Sequence, residues 1–124
     1  MEINQITEKV IGSAYQVGNG LGSGFLEKVY ENALAHEIRK TGLNVAQQHP
    51  IRVFYDGVIV GDYFADLLVE DCLLVELKTV KQLDDVHMAH CMNYLKATGY
   101  QVCLLINFYR SKVEIKRVVR NFIE

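Results

Sequence analysis

The N-terminal part of the chain carries two stripes of apolar residues at helical spacing. The first stripe spans residues 3–18 and predicts a helix that ends at the Gly-Asn-Gly segment 18–20. The second stripe follows the glycine-rich link, runs over residues 26–38 and is closed by Gly42, with Ser23 as the predicted cap. We therefore expect two consecutive helices before any strand.

After Pro50 the pattern changes from helical to strand-like. The runs IRVFY, VIVGDYFADLLV and CLLVELK are separated by Asp56-Gly57 and by Glu70-Asp71. Asp-Gly between two β-rich runs is a strong hairpin signal, because both turn positions tolerate a positive φ. The segment predicts three antiparallel strands.

A third helix and two further strands complete the pattern. Asp84 and Asp85 precede VHMAHCMNYLKAT, whose apolar stripe ends at Gly99. QVCLLINF is short and continuously apolar, as in a buried strand, and VEIKRVVRNF alternates more weakly. The predicted order is ααβββαββ in one α/β domain over residues 1–124.

Composition narrows the class of protein. The chain has 124 residues, of which 50% are hydrophobic and 23% charged, as in a globular domain. Its start lacks the pattern of a signal peptide, and its apolar runs are too short to cross a bilayer. The three cysteines form no CxxC pair, which favours reduced thiols and a cytoplasmic location. The net charge of −2 means that nucleic-acid binding would need a local basic patch or bound metal ions.

Charged residues interrupt two of the apolar strands. Glu76 and Lys78 are two residues apart in VELK, so both project from the same face of the sheet. If the turn before this strand centres on Asp71, Asp66 lies directly across from Glu76. Charges among residues expected to be buried are costly unless they serve a site.

Two adjacent carboxylates repel each other unless a cation lies between them. Mg²⁺ or Mn²⁺ suits Asp66 and Glu76 together with the backbone carbonyl of Leu77. A metal there would polarise a phosphate and activate water, while Lys78 would orient that water or neutralise developing charge. The alternative is a solvated Asp66 and an exposed Glu76–Lys78 pair, since this spacing is a loose pattern.

Several segments together resemble the GxxExxxR proteins, a family assigned to the PD-(D/E)XK nuclease-like superfamily. They are the helix carrying Glu27, then ADLLVED, VELKTV, HMAHCMNYLKATG and CLLINF. The resemblance implies a sheet flanked by helices, with Asp66, Glu76 and Lys78 as motif residues and Glu27 as a further metal-binding acid. Glu31 stands where the family pattern has arginine.

The third helix carries candidate auxiliary residues. His87, His90 and Tyr94 fall on one side of it and are expected to face the metal site. Similarity to the QxxxY element of recombination-type nucleases places His90 at the glutamine position before Tyr94. A packed tyrosine with partly exposed histidines is the alternative, and a zinc site from these histidines and the cysteines matches no known spacing strongly.

The C-terminal region concentrates positive charge. Its candidate phosphate-binding residues are Lys112, Lys116, Arg117 and Arg120, beside Arg110. A solvated strand face is the alternative. The sequence thus favours a Mg²⁺- or Mn²⁺-dependent nuclease acting on DNA or RNA, or else a non-catalytic nucleic-acid-binding or protein-interaction module on the same fold. A homodimer paired through a sheet edge or helix is a further expectation.

Overall fold

The computed structural model describes residues 1–120 and has the predicted order ααβββαββ. The elements are α1 (Ile3–Leu21), α2 (Glu27–Lys40), β1 (Val45–Tyr55), β2 (Val58–Val69), β3 (Leu73–Lys78), α3 (Asp85–Thr98), β4 (Val102–Asn107) and β5 (Glu114–Val119). No helix in this part of the chain is both long and apolar enough to traverse a bilayer.

The five strands form one mixed sheet in the order β1-β2-β3-β4-β5. β3 and β4 are parallel, because α3 carries the chain back across one face between them, and the other neighbouring pairs are antiparallel. Helices α1 and α2 pack on one face and α3 on the other. All of β4 is buried, which matches its continuously apolar sequence.

The helix boundaries differ from the expected ones at two places. α1 continues through the Gly-Asn-Gly segment to Leu21, and a Cβ at Gly18 would meet Val113 Cγ2 at 2.6 Å and Ser111 O at 2.9 Å. Gly18 therefore permits a close approach of the chain and does not end the helix. α2 begins after Leu26, so the cap predicted at Ser23 is wrong.

The strand boundaries also differ. β1 begins at Val45 and passes through Pro50, which an edge strand tolerates because one side of its backbone needs no partner. The hairpin at Asp56-Gly57 forms as predicted, with φ values of 52° and 76°. β5 ends at Val119, and the expected continuation through residues 121–122 lies outside the described residues.

β2 follows β3 over only part of its length. Its paired residues are Leu67 with Val75, Leu68 with Leu74 and Val69 with Leu73, so the turn centres on Asp71 as predicted. On the N-terminal side of Leu67, β2 is no longer paired with β3. It is paired there with β1 alone, as a two-stranded ribbon. The divergence creates a fork, and the predicted Asp66 and Glu76 lie at its apex.

Candidate active site at the fork between β2 and β3

Side chains replace the backbone pairing at the apex of the fork. The next ladder pair after Leu67 and Val75 would be Asp66 and Glu76. Instead, the Asp66 backbone N–H donates to Glu76 Oε1 at 3.0 Å, and the Leu77 N–H donates to Asp66 Oδ2 at 2.7 Å. These two bonds satisfy the freed amides and bring both carboxylates together, as their spacing predicted.

The second carboxylate oxygen of Asp66 is hydrogen-bonded to Gln48 on β1. Gln48 has a φ of 55° and lies opposite Asp66 by register, although the two do not pair in the ladder. Its Nε2 lies 3.3 Å from Asp66 Oδ1 and 2.7 Å from Glu31 Oε1. A single amide group therefore links the strand carboxylate to helix α2.

Glu31 is the buried anchor of this network. Its side chain is 4% exposed, and its Oε2 accepts from Lys28 Nζ at 2.9 Å and Gln47 Nε2 at 2.7 Å. The residue that departs from the arginine of the family pattern is thus fully hydrogen-bonded. Gln47 and Gln48 were missed from the sequence because β1 was expected to begin after them.

Burial raises the pKa of both strand carboxyls, and a neighbouring negative charge adds to the rise, from Asp66 at Glu76 and from Glu31 at Asp66. Burial, followed by the nearby negative charge of Asp66, raises the pKa of Glu76 to about 8. Burial also raises the pKa of Asp66, while the Leu77 N–H opposes that rise. The pair therefore retains a proton near neutral pH unless a cation replaces it.

Lys78 and Glu27 border the carboxylate pair. The positive charge of Lys78 acts to lower the pKa of Asp66, of Glu76 and of Glu27. Burial and the charge of Asp66 raise the pKa of Glu27, which sits on the first turn of α2. The helix acid and the strand residues predicted to act together are electrostatically coupled.

The donor chemistry at the fork suits a hard divalent cation. Asp66 and Glu76 offer carboxylate oxygens, and their raised pKa values reflect burial together with neighbouring negative charge, both of which a bound cation would offset. Within residues 1–120, no three His, Cys, Asp or Glu side chains converge closely enough to enclose a metal. The arrangement is a close pair of carboxylates with Glu27 farther away.

The three candidates on α3 have different surroundings. His87 Nδ1 accepts the Asp84 N–H at 3.0 Å, so this histidine caps the helix. Burial, followed by the negative charges of Glu76 and Asp66, raises the pKa of Tyr94 to about 12. His90 is exposed and lines a groove together with Tyr94.

The C-terminal basic residues are not gathered on one surface. Lys116 and Arg117 alternate on β5 and so point to opposite faces of the sheet. Arg117 Nη1 donates to Asn4 Oδ1 on α1 at 3.1 Å, whereas Arg120 Nη1 lies 3.4 Å from Leu95 O on α3. Lys112 is exposed in the segment before β5. A single phosphate-binding patch does not form from these residues.

A mixed sheet between helices, with carboxylates and a lysine at a strand fork, defines a nuclease-like α/β domain. A family profile described as the PD-(D/E)XK nuclease superfamily matches residues 4–118. The chain belongs to this superfamily.

Comparison with solved structures supports the fold. The chain is similar to an alkaline exonuclease from Laribacter hongkongensis, with a TM-score of 0.52 and 15% identity, covering 93% of this chain and 82% of the exonuclease. At this identity the similarity concerns the fold alone. No curated protein matches the sequence.

Proposed function

We propose that the protein is a divalent-metal-dependent nuclease that hydrolyses phosphodiester bonds in DNA or RNA. The observation that carries the proposal is the juxtaposition of Asp66 and Glu76 at the fork, with Lys78 on the same strand. Membership in the superfamily supports the class of reaction. Within that superfamily, the motif at Gly24 and Glu27 supports assignment to the GxxExxxR proteins.

Asp66 and Glu76 are the residues that would hold Mg²⁺ or Mn²⁺, with Glu27 and the backbone carbonyl of Leu77 as further oxygen ligands. When bound, such an ion supplies Lewis-acid polarisation of the phosphate and a more acidic water. Two raised carboxyl pKa values support this assignment, because a cation would relieve the repulsion that causes part of the shift.

The remaining candidate residues would orient the metal ligands and the substrate and would stabilise the charge that develops on the phosphate. Lys78 would place its ammonium against the negative charge that develops on the phosphate, since its positive charge already acts on all three acids. The contacts from Glu31 through Gln48 fix the orientation of Asp66. Tyr94 and His90, which lies one turn before it on α3, would contact the phosphate backbone of the substrate.

One observation favours a second function, a binding module without catalysis. One oxygen of Asp66 and one of Glu76 already accept backbone amide hydrogens at the fork. The pair could thus stabilise the divergence of the two strands without holding a metal. In that case the fold would bind nucleic acid or a protein and cleave nothing.

A cleavage assay separates the two functions. Labelled DNA and RNA oligonucleotides, single- and double-stranded, are incubated with the protein and Mg²⁺ or Mn²⁺ or with EDTA. We expect metal-dependent cleavage that Glu76→Gln abolishes, because the amide fills the same space but cannot replace the charged ligand. The control is Glu8→Gln, an exposed acid on α1. Equal cleavage by Glu76→Gln, or none by the wild type on any substrate, would favour the binding module.

Two further expectations stay predictions. A cytoplasmic location follows from the cysteine content alone. A homodimer would use a sheet edge or a helix, and its test is the mass in solution.

A further inference from the structure

A groove separates the β1–β2 ribbon from the outer side of α3. Its volume is about 590 Å³, and its walls include Phe54 and Tyr63 from the ribbon and His90 and Tyr94 from the helix. A second hollow of about 490 Å³ shares Arg52 and Phe54 with it. The two hollows adjoin along α3 and are together called the channel.

Aromatic rings with accessible faces line this channel. Phe54 is 60% exposed and Tyr63 is 50% exposed, an unusual position for large rings on a ribbon that packs little against the body. Tyr63 lies 5.7 Å from Tyr94 between ring centroids, and at the far end the rings of His49 and Tyr100 lie 6.5 Å apart. Rings spaced along a channel offer successive stacking surfaces for flat ligands.

The charge of the channel has one sign. Arg52 and Lys96 contribute cations to its walls, and among residues 1–120 no aspartate or glutamate lines either hollow. Arg52 lies 3.7 Å from Asp62, but both side chains are more than 60% exposed, so that pair holds the guanidinium only weakly. In a chain with a net charge of −2, this is a local surface suited to an anionic ligand.

The channel leads to the carboxylates. Tyr63 in its wall precedes Asp66 by three residues on β2, and Tyr94 in its wall packs against the cluster that contains Ala65, the chain neighbour of Asp66. A chain-like ligand lying along α3 would therefore pass beside the fork. A phosphodiester in that ligand would be presented to the residues assigned above.

We propose that this channel binds a single strand of nucleic acid, with bases stacked on Phe54 and Tyr63 and phosphates held by Arg52 and Lys96. The inference rests on the proposed function, for which it names the substrate class. Stacking requires base faces that a duplex conceals within its own stack, and sequence-tolerant binding to single strands combines aromatic rings with a basic groove in this way. A single-stranded end or segment, of DNA or RNA, is thus the form that reaches the fork.

The test measures binding in EDTA, where cleavage does not occur. Fluorescence anisotropy follows fluorescein-labelled oligo-dT, oligo-rU and a blunt duplex of the same length. We expect both single strands to bind more tightly than the duplex, and the better of the two identifies the natural sugar.

Matched variants locate the binding surface. Tyr63→Ala and Phe54→Ala should each weaken single-strand binding at least about five-fold, because one stacked base contributes roughly that factor or more. Tyr63→Phe should retain the affinity. Tyr15→Ala is the control, because Tyr15 is 48% exposed but lies on α1, which packs on the other face of the sheet from α3. Lys96→Ala should lower the slope of log affinity against log salt by about 0.7, the contribution of one phosphate contact to a single strand.

The outcomes distinguish this inference from the nuclease proposal. Single-strand binding that depends on Tyr63 and Phe54, in a protein that cleaves nothing with Mg²⁺ or Mn²⁺, would support the channel and reject the nuclease. Cleavage together with unchanged affinity in Tyr63→Ala, Phe54→Ala and Lys96→Ala would support the nuclease and overturn the channel. Absence of single-strand binding would overturn it too, as would a dimer by light scattering that Tyr63→Ala dissociates without any change in oligonucleotide affinity.

Discussion

The backbone N–H of Asp66 donates a hydrogen bond to Oε1 of Glu76 over 3.0 Å. The side chain of one acid thus supports the backbone of the other at the point where β2 leaves β3. This contact keeps two carboxylates close together in a buried place, where their repulsion is strong. The structural role of Glu76 and its proposed ligand role are consequently linked.

The stability of the metal-free protein should fall as the pH rises. The pKa of Glu76 is about 8 in the folded chain against 4.5 for the ordinary group, so the folded state binds the extra proton between these values. Stability is fully present below about pH 4.5, declines through neutral pH and levels off above about pH 8. The loss should reach a few kcal/mol, since one pKa unit corresponds to about 1.4 kcal/mol.

Urea denaturation in EDTA at several pH values between 5 and 9 measures this effect. Glu76→Gln is the matched variant, because its amide oxygen can still accept the Asp66 N–H but does not titrate. We expect the variant to lose most of the decline, with Asp66 supplying the remainder. An identical pH dependence in both proteins would show that Glu76 is not the titrating group.

Replacing the buried Glu31 on α2 with alanine should destabilise the fold. Glu31→Ala leaves Lys28, Gln47 and Gln48 without the carboxylate that accepts their hydrogen bonds. The free energy of unfolding should fall by about 1–3 kcal/mol, because the hydrogen bonds that are lost all go to a charged carboxylate, the stronger kind of hydrogen bond.

Glu37→Ala is the control for this variant. Glu37 also pairs with a lysine three residues away on α2, at 3.1 Å from Lys40, but on the outer surface. Its removal should change the stability by less than about 0.5 kcal/mol. Equal losses in the two variants, measured by urea denaturation, would contradict the role given to Glu31.

Replacing either of two glycines of α1 with alanine should change the stability of the protein, in opposite directions at the two positions. At Gly18 an added Cβ lies 2.6 Å from Val113 Cγ2 and 2.9 Å from Ser111 O, so the segment before β5 must shift and the melting temperature should fall. At Gly12 an added Cβ would meet no atom of residues 1–120 within 4 Å apart from the adjoining backbone of its own helix, and alanine should stabilise the helix by about 0.5–1 kcal/mol. A melting temperature for Gly18→Ala at or above the wild-type value would refute the close approach.

Local patterns were enough to predict the element order and the fork pair. The Glu70-Asp71 turn fixed the register, and the two-residue period of β3 placed Glu76 beside Lys78, so Asp66 could be positioned without coordinates. Gly18 was misread as a helix stop because glycine has the same signature whether it ends a helix or admits a neighbouring chain. That neighbour, Val113, is distant in sequence.

The parts of the site that the sequence did not reveal depend on long-range geometry. Gln48 reaches Asp66 only because β1 bends at a positive φ, which no local motif required. Lys116 and Arg117 looked like one basic cluster, but strand alternation places them on opposite faces. Arg52 and Lys96 come together across the channel from elements far apart in the chain.

The most direct test of the central claim is calorimetric titration of Mn²⁺ and Mg²⁺ into the wild type and into Glu76→Ala. The wild type should bind a metal ion, more tightly as the pH rises towards 8 because the ion displaces the proton shared by the carboxylate pair. Glu76→Ala, shown to be folded by circular dichroism, should not bind. Equal binding by both proteins, or no binding of Mn²⁺ by the wild type even with a non-cleavable oligonucleotide present, would contradict a metal-dependent nuclease at this fork.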